Sequence, residues 1–134
     1  MEESIKIEEA IAKALKLEAV DPRTYSPLVL AYIGDAVYEL LIRTKVINHG
    51  SMQVNKMHKK SASLVKAETQ ANIIKAIQDD LTEEELAIYK RGRNAKSATT
   101  AKHATMMDYR MATGFEALVG YLYLQAQHDR LLEL

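Results

Sequence analysis

The chain has 134 residues, 48% of them hydrophobic, which suffices for one compact domain with a buried core and leaves no room for a second full one. It contains no cysteine, which excludes disulfides, thiol catalysis and Cys-ligated zinc or iron–sulfur sites and makes a reducing cytoplasm the expected compartment. Its 18 Lys and Arg balance 18 Asp and Glu, its longest apolar run, Pro27 to Ile33, is far too short to span a bilayer, and the start at Glu2 and Glu3 does not resemble a secretion leader.

In chain order the elements read as helices throughout: both prolines fall early, at Pro22 and Pro27, no Asn-Gly or Asp-Gly hairpin turn occurs, and apolar residues recur at helical spacing. The fold class is all-α, an irregular helical bundle without internal repeat. Ile5 to Leu17 predicts an amphipathic helix with Ile5, Ile7, Ile11, Ala14, Leu15 and Leu17 on its apolar side. Asp21 to Pro27 is a turn-rich entry, so residues 1–24 form an N-terminal helix and linker ahead of the main body. Pro27 suits the first turn of a helix that runs to about Ile47 and stops near Asn48, His49 and Gly50.

A helical stretch from Val54 to Ile77 follows, as one helix or two. Thr82 and Glu85 form a capping-box pattern for a short helix ending by Arg91, Gly92 to Thr105 reads as a loop, and Asp108 is placed to cap a last long helix to about Gln127, with a short helical tail beyond.

The neutral total hides a polarised chain. Leu40 to Ala67 contains no acid but Arg43, Lys45, Lys56, Lys59, Lys60 and Lys66; Ile88 to Met107 contains no acid but Lys90, Arg91, Arg93, Lys96 and Lys102. These windows hold 11 of the 18 Lys and Arg. One basic run is commonly a solvated helix face, whereas two such windows in one small domain point to phosphate binding.

Two strongly apolar helices each carry acid. Leu28 to Ile42 is apolar at nearly every position, so it is expected to be buried on most of its circumference, yet it holds Asp35 and Glu39 on one face. In the last helix Phe115, Ala117, Leu118, Val119 and Tyr121 surround Glu116. Ionised carboxylates are rarely buried without a partner. Pairing with Arg43 or Arg110 would explain one of them; three in two helices, each helix with a glycine that permits close approach, point to convergence on one site. Oxygen donors without cysteine suit a hard ion, Mg²⁺ above Zn²⁺, and His49, His58, His103 and His128 lack ligand spacing. A hard ion beside basic surface implies phosphodiester hydrolysis.

The segment Ala31-Tyr-Ile-Gly-Asp-Ala-Val-Tyr-Glu39 resembles the signature helix of the ribonuclease III family, and Phe115-Glu-Ala-Leu-Val-Gly-Tyr-Leu-Tyr-Leu124 is similar to that family's second catalytic segment. Lys90-Arg-Gly-Arg-Asn-Ala-Lys-Ser97 resembles a basic loop of the Mini-III subgroup, stand-alone catalytic domains without a double-stranded-RNA-binding domain, and no such domain is expected here. The resemblance implies the all-helical endonuclease domain, a homodimer built on the signature helices with Tyr32 and Ile33 at the interface, and a valley for double-stranded RNA. It further implies Mg²⁺-dependent cleavage to 5′-phosphate and 3′-hydroxyl ends, and a role in maturing precursor ribosomal RNA of the large subunit, with a ribosomal protein as a further expected partner.

Only Asp35 and Glu116 carry over as catalytic and metal-holding residues, with Glu39 an additional candidate ligand. Larger family members have Glu where this chain has Ala31 and Asp where it has Thr113, positions also altered in the Mini-III subgroup. Lys59, Lys60, Arg91, Arg93 and Lys96 are the expected RNA contacts. The alternative is a non-catalytic RNA-binding module of the same fold. A helical nucleotide phosphohydrolase is a third reading, for which Glu83-Glu84-Glu85 is a poor acid motif because a helix start explains it.

Overall fold

The structure, a computed structural model, describes residues 7–48, 54–95, 106–125, 127, 130 and 131, and within them contains helices and no strand. The helices are α1 (Ile7–Leu15), α2 (Pro27–Asn48), α3 (Val54–Val65), α4 (Ala67–Ile77), α5 (Glu83–Asn94) and α6 (Met106–Leu124). Among these residues no helix is long and apolar enough to cross a membrane. Ile5, His49, Gly50, the basic stretch from Lys96 to Thr105 and most of the expected tail helix lie outside the described residues.

Local chemistry sets the helix starts. Asp21 caps the short 3₁₀ turn Pro22–Thr24 by accepting from the Arg23 N–H, and Ser26 Oγ accepts from the Val29 N–H so that Pro27 opens α2. Thr82 and Glu85 form the expected capping box, with Thr82 Oγ1 accepting from Glu85 N at 3.1 Å and Glu85 Oε1 from Thr82 N at 2.9 Å. Val54 to Ile77 is two helices, broken at Lys66, whose backbone is extended.

Three readings of the sequence are corrected. The second basic run does not become a loop at Gly92: α5 continues to Asn94, so Arg91 and Arg93 are helical. A Cβ on Gly92 would lie 2.9 Å from Gly114 Cα and from Ala117 Cβ, so this glycine serves helix packing rather than a turn. Asp108 sits inside the first turn of α6, which ends at Leu124, instead of capping it. Within one chain α2 is not buried on most of its circumference: Leu30, Ala31, Gly34, Val37, Tyr38 and Val46 face the core, whereas Leu28, Val29, Tyr32 and Leu40 are exposed.

The core is built around α6. From Met111 to Leu122 every residue is buried except Glu116, which is half-buried, because α2, α4 and α5 all pack against this helix. Tyr38 meets Phe115 edge to face with ring centres 5.3 Å apart. The buried Glu85 carboxylate is matched by Arg130 at 2.7 and 2.8 Å, and Arg130 also donates to the Asp80 carbonyl, which ties the end of the chain to the start of α5. α1 ends at Leu15 rather than Leu17, and its apolar residues Ile11 and Leu15, like Leu17 beyond it, are exposed.

Candidate active site

The site follows from how α2 and α6 cross. A Cβ on Gly34 would lie 1.7 Å from the Glu116 carbonyl oxygen, and one on Gly120 would lie 2.1 Å from the Leu30 carbonyl oxygen. Two helices meeting glycine to backbone approach more closely than side chains ordinarily allow. The contact brings Asp35, next to Gly34, beside Glu116, whose own carbonyl Gly34 touches and which lies one turn before Gly120.

The electrostatics follow from this proximity. Burial and the adjacent Asp35 carboxylate push Glu116 up from 4.5 to about 8, against a smaller downward pull from the Gln70 amide. Tyr38 is raised as well, by burial and then by the Glu116 charge. Among the described residues neither Asp35 nor Glu116 forms an ion pair with Lys or Arg, so no described cation neutralises the pair.

Glu39, one turn on from Asp35, pairs with Arg43. No group of three or more His, Cys, Asp or Glu side chains gathers among the described residues. Asp35, Glu39 and Arg43 line an open cleft of about 540 Å³ together with Tyr32, Ile33, Ala36 and Leu40.

On its inner side Glu116 is held by Gln70 from the α3–α4 junction. Gln70 Nε2 donates to Glu116 Oε2 at 3.3 Å and to the Val65 carbonyl at 2.8 Å. Two more carbonyls of the ending turn of α3 are taken in the same way, Leu64 by Tyr38 Oη and Ser63 by Thr69 Oγ1, each at 2.8 Å. The sequence reading missed Gln70. Its signal was an amide in an apolar stripe, since Gln70, Ile73, Ile74 and Ile77 fall on one side of α4 at helical spacing.

The basic residues divide. Lys59 and Lys60 on α3 and Arg91 on α5 are exposed. Arg93 is half-buried, its guanidinium 5.7 Å from the centre of the Tyr89 ring, and Lys96 lies outside the described residues.

A model of the ribonuclease III domain matches residues 28–127, a span that contains both carboxylates and the crossing between them. The chain belongs to the ribonuclease III family. It is 55% identical to a Mini-ribonuclease 3 of Clostridium tetani over 85% of this chain and 76% of that one, and 47% identical to a Mini-ribonuclease 3 of Brevibacillus brevis over 85% of each. A crystal structure of a Fusobacterium nucleatum protein superposes with a TM-score of 0.78 at 36% identity, covering 86% of this chain and 92% of that one. Family and fold thus agree with the resemblance carried by the two motifs, and the chain is an endoribonuclease of the Mini-ribonuclease 3 group.

The family works with a divalent metal ion, and the residues here fit one. Two adjoining carboxylates without a basic partner among the described residues, one of them held protonated to unusually high pH by burial and then by the other's charge, form an oxygen donor set that a divalent cation relieves. Ala31 and Thr113, where larger relatives carry acids, are both buried here. Thr113 donates its hydroxyl to the Tyr109 carbonyl one turn back, so neither position adds a carboxylate to the pair.

Proposed function

We propose that this ribonuclease III domain cleaves double-stranded RNA in a Mg²⁺-dependent reaction, as a homodimer in the cytoplasm, and that its biological substrate is precursor ribosomal RNA of the large subunit. The observation that carries the reading is the meeting of Asp35 and Glu116 at the glycine crossing of α2 and α6, at the edge of an open cleft. Asp35 and Glu116 are the residues that would hold Mg²⁺, which when bound polarises the phosphoryl group and eases deprotonation of the attacking water.

The chain's own contribution is then plain. The crossing fixes two carboxylates before RNA arrives, so their orientation costs nothing in the reaction. Glu39 is held by Arg43, which keeps that acid beside the cleft as an additional candidate ligand. The water oxygen bonds to phosphorus, the bond from phosphorus to the 3′ oxygen breaks, and that oxygen takes up a proton, leaving 5′-phosphate and 3′-hydroxyl ends. Lys59, Lys60, Arg91, Arg93 and Lys96 supply phosphate contacts, the mode suited to a duplex whose base edges lie in a deep, narrow groove.

The homodimer reading is supported by the exposed flank of α2, where Leu28, Val29, Tyr32 and Leu40 lie open and Tyr32 is 82% exposed. An apolar flank of this kind on a small domain is ordinarily covered by a partner. Involvement of a ribosomal protein is an extension of the same reading, tested by adding the large-subunit proteins to the cleavage assay.

Incubating the purified protein with long double-stranded RNA, with and without Mg²⁺, tests the proposal. Cleavage should require the ion and should fall by two or more orders of magnitude in Asp35→Asn, which keeps shape and removes charge. A folded, RNA-binding protein that cuts nothing would replace the reading with that of a non-catalytic RNA-binding module.

A further inference from the structure

Gln70 is 1% exposed, and its Oε1 is the only buried side-chain nitrogen or oxygen without a hydrogen-bond partner among the described residues. Leaving such an atom unmatched is unfavourable, because it has lost its bond to water without a replacement, and unmatched buried groups in folded proteins call for a reason. The direction of the amide is not arbitrary. The Val65 carbonyl, the nearer neighbour of Nε2 at 2.8 Å, can only accept, so turning the amide over would set oxygen against oxygen there. The free oxygen therefore stays free by construction.

Packing alone does not account for this residue. Ile73, Ile74 and Ile77 complete the same stripe of α4, and an apolar side chain at position 70 would join them without burying an amide. Capping α3 does not account for it either, since one N–H suffices for the Val65 carbonyl. The second N–H reaches 46 residues along the chain to Glu116.

We propose that Gln70 is a positioning residue of the carboxylate pair: its amide N–H fixes the Glu116 carboxylate beside Asp35, and its Oε1 accepts a hydrogen bond from a water molecule bound next to that pair. Such a water would have Gln70, Glu116 and Asp35 as polar partners, which meets the requirement of two to four for a water in a largely buried place. The inference rests on the reading of Asp35 and Glu116 as cation-holding residues. Groups that orient cation-holding side chains ordinarily affect cation affinity or activity by about ten- to a hundredfold.

The test uses the full chain as Gln70→Met, which keeps length and packing but removes both donors and the acceptor. Its companion, Thr69→Val, removes the neighbouring cap on the Ser63 carbonyl without touching Glu116. Three properties are measured: Mn²⁺ affinity of the protein without RNA, by electron paramagnetic resonance; kcat and KM on long double-stranded RNA; and the melting temperature. Gln70→Met should lose about ten- to a hundredfold in Mn²⁺ affinity and a similar factor in kcat, with KM within about twofold of wild type. Thr69→Val should change melting alone. If Gln70→Met does not fold, Gln70→Asn, one methylene too short to bridge Val65 and Glu116, carries the same expectation.

Mn²⁺ affinity and kcat within about twofold of wild type in the Gln70 variant, or an equal loss in Thr69→Val, would overturn the proposal. Asp35→Asn run alongside separates the two levels. Loss there with none at Gln70 removes only the positioning role, whereas a wild type that neither binds Mn²⁺ nor cuts RNA removes the functional reading and this inference together.

Discussion

Replacing Glu116 with Gln should make the metal-free protein more stable while making it inactive. The wild-type carboxyl ionises near 4.5 in the unfolded chain but only at about 8 in the folded one, because burial and the Asp35 charge oppose ionisation there. Between those values the unfolded chain has given up a proton that the native protein still holds, so stability is full below 4.5 and declines as pH rises to about 8. Each pH unit in that window costs about 1.4 kcal/mol, which amounts to about 3 kcal/mol at pH 7.

Glutamine has the same shape, carries no charge, and offers an amide N–H to Asp35 and a carbonyl to Gln70. Glu116→Gln should therefore recover up to about 3 kcal/mol at pH 7, roughly 10 °C in melting temperature for a chain of this size, and little or nothing at pH 4.5. Urea melts of both proteins in EDTA from pH 4.5 to 8.5 measure the difference. Mg²⁺ should then stabilise the wild type alone, by about 2.7 kcal/mol at a hundred times its dissociation constant. A variant less stable than wild type at pH 8, or a stability difference that does not grow with pH, would refute the account of Glu116 as a carboxylate held under repulsion.

Three further outcomes follow from the same structure. Gly34→Ala drives a methyl group into the Glu116 carbonyl, so it should cost about 3 kcal/mol or more and abolish cleavage, as read by denaturant melts and the RNA assay; near-normal activity would mean that the close crossing is dispensable. Tyr32→Asp sets a charge on the exposed flank of α2 and should weaken self-association by roughly a hundredfold in sedimentation, whereas a fully active wild-type monomer would dismiss the dimer. Changing Arg91, Arg93 and Lys96 together to Ala should weaken binding of double-stranded RNA and flatten its salt dependence by about one unit of slope per lost phosphate contact, with the fold retained; an unchanged slope would reassign these residues to solvated surface.

The sequence by itself determined the helices, their approximate ends and the two acids, because each is a local property. The Thr82 capping box, the Pro27 entry and the 3.6-residue recurrence of apolar residues act over one or two turns of chain. The two Gly-containing motifs marked Asp35 and Glu116 without reference to where the helices lie. Gly92 misled for the same reason: alone it signals a turn, and only the partner helix, with Gly114 facing it, makes it a packing residue inside α5. Likewise the apolar length of α2 indicated burial but not which flank would be covered.

The meeting of the acids, the rise of Glu116 to about 8 and the hold of Gln70 on it were decided by tertiary structure alone. Each depends on the distance between segments far apart in the chain, and here that distance is set by how closely two glycines let α2 and α6 approach. Charge repulsion and desolvation vary steeply over a few ångströms, so two carboxylates legible in the sequence acquire their shifted chemistry only from the depth of the crossing.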